Sequence, residues 1–87
     1  MPREPRSDIA NLLQETRAME LLANEADIPF ERMQDYWTLA ADLITLVADI
    51  EAYQLEHPRA SYDDPTMFTL KYRLRDIASR LGTMIAD

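Results

Sequence analysis

The sequence predicts an all-α protein: three helices in an antiparallel bundle around one long central helix, with the bundle completed by dimerisation. Three observations lead there. From Ile28 to Glu56 the chain is largely apolar, with an acid at every seventh residue: Asp35, Asp42, Asp49 and Glu56. Seven residues are two helical turns, so these acids form one narrow line facing water. The flanking segments place their apolar residues at helical spacing, and no alternating strand pattern competes. Gly82 is the only glycine, and no proline falls between Pro29 and Pro58, so nothing interrupts the central segment.

The first helix is expected over about 7–24. Ser7 is a natural N-cap, Asp8 suits the first turn, and Ile9, Leu12, Leu13, Met19, Leu22 and Ala23 supply the apolar face. Asn24 to Asp27 breaks it. The second helix is expected over 28–56, with Pro29 in its first turn, where a missing N–H costs nothing. Residues 57–64 (HPRASYDD) read as a loop. Asp64 followed by Pro65 marks the start of a third helix over 65–85, on Met67, Leu70, Leu74, Ile77, Ala78, Leu81 and Met84 or Ile85. Residues 1–6 (MPREPR) read as a flexible arm, and 7–87 as a single domain.

On the central helix five of the seven heptad positions are largely apolar. With the acids at f, positions a and d hold Met33, Trp37, Ala40, Ile44, Val47, Glu51 and Gln54. Position g holds Tyr36, Leu43 and Ile50, position c holds Leu39, Leu46 and Tyr53, and position e holds Ala41, Ala48 and Leu55. A coiled-coil helix needs two such positions and a helix at a bundle's edge about three. Two shorter neighbours therefore leave an apolar stripe over. The expected answer is a homodimer with antiparallel long helices, Ala40, Ala41 and Ala48 allowing close approach. Glu51, at a core position, is expected in a buried ion pair with Arg73 or Arg80. Tyr36 and Trp37 are expected to pack in the core against the first helix, with an aromatic contact to a partner as the alternative, and Tyr62 is the better exposed candidate contact.

The formal net charge is −7, unevenly spread. Residues 20–64 carry eleven acids against two arginines, −9, whereas residues 65–87 carry four bases against two acids, +2. A field of that sign around the central helix repels nucleic acid and attracts basic protein. With no cysteine and a single histidine, disulfides, thiolate metal sites and multi-histidine centres are excluded within one chain. No phosphate-cradling glycine motif is present. His57, Ser61 and Asp63 or Asp64 share one loop that offers nothing to bury or orient a triad. No catalytic, cofactor or metal residue is assigned, and the protein is not expected to be an enzyme. No segment has the length or apolarity of a membrane span and no signal peptide opens the chain, which leads to a cytoplasmic expectation.

Residues 18–37 (AMELLANEADIPFERMQDYW) resemble a helix-turn-helix, with Leu22 and Ala23 buried in its first helix, Asp27-Ile28 in the turn and Met33 buried in the second. The resemblance implies a DNA-binding transcriptional regulator. Against it stand Asp27 where glycine is commonest, Glu31 and Asp35 beside the single base Arg32, and a second helix that runs on for about twenty residues. The leading expectation is a small acidic protein–protein interaction module, adaptor, inhibitor or antitoxin-like. It would present the line Asp35, Asp42, Asp49 and Glu56 to a protein partner, possibly a basic one. A purely structural subunit of a homo-oligomer is the third reading.

Overall fold

A computed structural model describes residues 7–85; the arm expected over residues 1–6 lies outside them. The described chain is all-α: α1 (Asp8–Glu25), a 3-10 turn (Phe30–Arg32) running into α2 (Met33–Glu56), and α3 (Pro65–Met84). The assembly is elongated, 48 × 28 × 18 Å. Its long dimension follows from α2, whose 24 residues span ~36 Å. Both α1 and α3 pack along α2 and meet each other less.

Each start is made by the chemistry at its first residues. The Ser7 hydroxyl accepts from the Ala10 N–H at 3.3 Å. The Asp64 carboxylate accepts from the Thr66 N–H at 2.9 Å and Pro65 opens α3. Both supply an acceptor for amides that the first turn leaves without one. The Asp8 carboxylate accepts from the Tyr62 N–H at 3.1 Å, and the Ile9 N–H donates to the Ala60 carbonyl at 3.3 Å, so the 57–64 loop is fastened to the beginning of α1.

The central helix begins later than its apolar pattern implies. Ala26 is extended, and Pro29 (φ −58°, ψ 145°) precedes the 3-10 turn instead of sitting in a helical one. A residue before proline is pushed away from the helical region, and here that residue is Ile28. The 26–29 link is therefore extended and α2 starts at Met33.

The core is one cluster: Ile9, Leu12, Leu13 and Ala23 from α1, Leu39, Leu43, Leu46 and Ile50 from α2, and Met67, Leu70, Leu74, Ile77, Leu81 and Met84 from α3. On α2 these are the c and g rows, not the a and d rows. Trp37 and Ile44, both a residues, are 66% and 61% exposed. Five apolar rows are more than two neighbours can cover. The neighbours α1 and α3 pack on the c and g rows, with Arg80 and Arg73 of α3 reaching Asp42 and Asp49 along one edge of that contact. Thr16, the buried polar residue of α1, donates to the Leu12 carbonyl at 2.7 Å, which leaves no stranded hydroxyl.

Candidate functional site

The acid line is divided by the fold. Asp42 accepts from Arg80 at 2.9 Å and Asp49 accepts from Arg73 at 2.9 Å, both arginines coming from α3. Asp76, one turn before Arg80 on its own helix, shares that guanidinium at 3.4 Å. The two middle acids are thus charge-compensated, while Asp35 and Glu56 at the ends have no ion-pair partner among the described residues. Glu51 is not buried with Arg73 or Arg80. It lies on the other side of α2, about half exposed, and pairs with Arg17 of α1. Lys71 bridges α3 to α1 through Glu15 at 2.7 Å, and that bond raises the lysine's pKa. These pairs link each helix to its neighbours across solvent-exposed seams, where each contributes about 0–1 kcal/mol.

The three aromatic candidates have different fates. The half-buried Tyr36 donates its hydroxyl to the Ala23 carbonyl at 2.9 Å, tying the first turn of α2 to the last turns of α1. Tyr62 is half-buried under Lys71, whose ammonium lies 5.9 Å from the ring centroid, and burial raises the phenol's pKa. Trp37 alone stands out from the surface. Other large side chains are exposed as well: Leu55 (87%), counted in the surplus apolar rows, and Leu21 (63%), Phe30 (88%), Phe68 (59%) and Tyr72 (64%), which no expectation singled out. Leu22, expected in the core, also stands out on the surface.

Two surfaces emerge. At the end of the bundle where α1 gives way to α2, Glu20, Glu25, Asp27, Glu31 and Asp35 have no ion-pair partner among the described residues. Leu21, Leu22, Phe30 and Trp37 expose apolar surface in the same stretch of chain. The negative end of the α1 dipole lies there too, and no base in the last turn of α1 offsets it. The second surface is a groove of about 560 Å³ between α2 and α3, with Thr45, Phe68, Tyr72 and Ile77 in its lining and Asp42, Arg73, Asp76 and Arg80 around them.

The helix-turn-helix resemblance is not reproduced in the backbone. No described residue has a positive φ, so the left-handed turn position is missing at Asp27. Arg32, the base on the candidate recognition segment, donates to the Thr83 carbonyl of α3. The His57 corner is equally committed to structure. The His57 ring lies 4.4 Å from that of Tyr53, and Tyr53 donates its hydroxyl to Asp64. Among the described residues no group of three or more His, Cys, Asp or Glu side chains is placed to hold a metal ion, and no helix is long and apolar enough to cross a membrane.

No protein-family model matches this chain, and neither a curated protein nor a solved structure does.

Proposed function

We propose that this protein is a non-enzymatic interaction module of the cytoplasm that works as a homodimer and presents an acidic surface to a basic protein partner. The observation that carries the reading is the coincidence, at the α1–α2 end, of unpaired acids with exposed Leu21, Leu22, Phe30 and Trp37. Apolar side chains held in water beside uncompensated charge of one sign favour a partner that is both apolar and oppositely charged. The acidic surface centres on this end rather than on the middle of the acid line, because Asp42 and Asp49 are occupied by Arg80 and Arg73.

The test is recovery of the partner from cells of origin with the native chain and with a variant carrying Glu25→Gln, Asp27→Asn, Glu31→Gln and Asp35→Asn. A basic protein held by the first and lost from the second is the expected result. Retention by both overturns the assignment of the surface. Saturable binding of duplex DNA at physiological salt overturns the reading as a whole.

A further inference from the structure

We propose that a second copy of this chain packs antiparallel on the outer face of α2, along the seam Thr38, Ala41, Thr45, Ala48, Ala52 and Leu55, with Phe68 and Tyr72 of α3 closing over its edge. The proposal rests on the homodimer reading and says which surface makes the dimer and how its halves are oriented.

The six seam residues are all exposed and uncharged, and follow one another in alternating steps of three and four residues. That is the spacing with which one helix meets another along a straight line of contact. Small side chains fill its middle, so two helix axes can approach to the short end of the ~8–10 Å range. The two threonines do not spoil this. The Thr38 hydroxyl donates to the Gln34 carbonyl at 3.2 Å and the Thr45 hydroxyl to the Ala41 carbonyl at 3.0 Å. Each is satisfied within its own helix and can be covered without stranding a donor.

The borders of the face are charge-compensated. On one side Asp42 and Asp49 are held by Arg80 and Arg73, and on the other Glu51 is held by Arg17. Along the middle of the face, covering it therefore brings no isolated charge against it; Glu56, at the Leu55 end, is the unpaired acid on its border. The seam continues without a break into the α2–α3 groove, because Thr45 lines both and Phe68 and Tyr72 form the wall beside it. Ile44, Leu55, Phe68 and Tyr72, each more than half exposed, carry on the order of 600 Å² of accessible surface together. With the small seam residues added, the face approaches the ~800 Å² that each partner of a standard stable interface contributes.

Charge decides the orientation. Parallel helices would bring Glu25, Asp27, Glu31 and Asp35 of both copies to one end. Antiparallel helices set that end against the 56–64 corner of the second copy, where Arg59 stands among Glu56, Asp63 and Asp64 and the excess of acid is smaller. The spacing fixes a register to go with it, about a two-fold axis between Leu46 and Val47. Ala41 then faces Ala52 of the second copy, Thr45 faces Ala48 and Thr38 faces Leu55, while Arg59, in the turn beyond the end of α2, lies towards the acidic end of the second copy.

The chain contains no cysteine, so single cysteines report this geometry cleanly. Light scattering at about 100 µM is expected to give the native chain a mass near twice 10.1 kDa. Ala48→Glu should weaken association at least tenfold with its helical circular dichroism intact, while Leu21→Glu, off the face, leaves the dimer unchanged. Under mild oxidation an Ala41→Cys protein mixed with an Ala52→Cys protein should cross-link, and neither should cross-link to itself. A monomer at that concentration overturns the homodimer reading and this proposal together. A dimer that survives Ala48→Glu and gives no mixed cross-link overturns this face alone. Self-linking of the Ala41→Cys protein overturns the antiparallel orientation.

Discussion

Asp64 is the residue on which most local order converges. Its carboxylate caps α3 through the Thr66 N–H and accepts the Tyr53 hydroxyl, so one side chain joins the end of α2 to the start of α3. The bond from Tyr53, followed by that from the Thr66 amide, holds the Asp64 pKa below the ordinary carboxylate value. The same bond is the leading cause that raises the Tyr53 pKa. The two shifts bound a pH window. A carboxylate with a lowered folded pKa contributes stability above its unfolded value and loses it as pH falls through the folded one. A phenol with a raised folded pKa contributes below its unfolded value and loses it as pH rises through the folded one. Tyr53→Phe should therefore destabilise most on a plateau between about pH 5 and pH 9, with the difference from the native chain shrinking on both sides. Urea unfolding at a series of pH values checks this, and a pH-independent difference would mean that the ring, not the hydroxyl, carries the effect. A second residue-level contrast comes from α2. Leu46 is fully buried and Ile44 is 61% exposed. Leu46→Ala should cost ~2–5 kcal/mol. Ile44→Ala, measured at a concentration low enough to keep the chain monomeric, should stay within about 0.5 kcal/mol, as for other surface changes.

At the scale of elements, the starts of α1 and α3 and most of their faces were legible because they are written in local chemistry, the exposed Leu22 and the buried Thr16 of α1 being the exceptions. Ser7-Asp8 and Asp64-Pro65 are caps that work through amides two or three residues away, and apolar residues at helical spacing leave one packing solution for a short helix. Replacing Ser7 by Ala should lower stability by ~1 kcal/mol, read as a shift of the denaturation midpoint with an unchanged slope. On α2 the face was not legible. With five of seven positions apolar, periodicity names the residues that avoid water-facing acids but not the two rows the neighbours select. That choice depends on how α1 and α3 dock across the whole bundle, as do the pairs of Arg73 with Asp49 and Arg80 with Asp42, 24 and 38 residues apart. No window of sequence contains them. The same long-range pairing explains Glu51, whose partner Arg17 is 34 residues away on α1. The candidate site was legible only in part for a related reason. The excess of apolar surface on α2 could be counted from sequence. Which acids would be left without a base could be known only once the arginines of α3 had been placed.

For the whole molecule, the two proposed surfaces should respond to salt with opposite signs. A chain of net charge −7 that pairs with a copy of itself does so against long-range repulsion. The proposed interface is apolar, and Asp42, Asp49 and Glu51 along its borders are already compensated inside each protomer. Salt should screen the repulsion and leave the attraction intact, tightening the dimer several-fold as ionic strength rises from about 0.02 M to 0.2 M. Binding of a basic partner at the acidic end rests on attraction between unlike charges over the same distances, so it should weaken over the same interval, chiefly through a slower on-rate. Sedimentation equilibrium gives the first quantity and stopped-flow association with the recovered partner the second. If association of the chain with itself weakened with salt, it would be held by charge between copies, and the approach of Arg59 to the acidic end of the second copy would outweigh the seam between them. The variant that separates these cases is Arg59→Gln. It removes the base nearest that acidic end, so it should loosen the dimer slightly at low salt and not at all at high salt, leaving the Ala41–Ala52 cross-link in place.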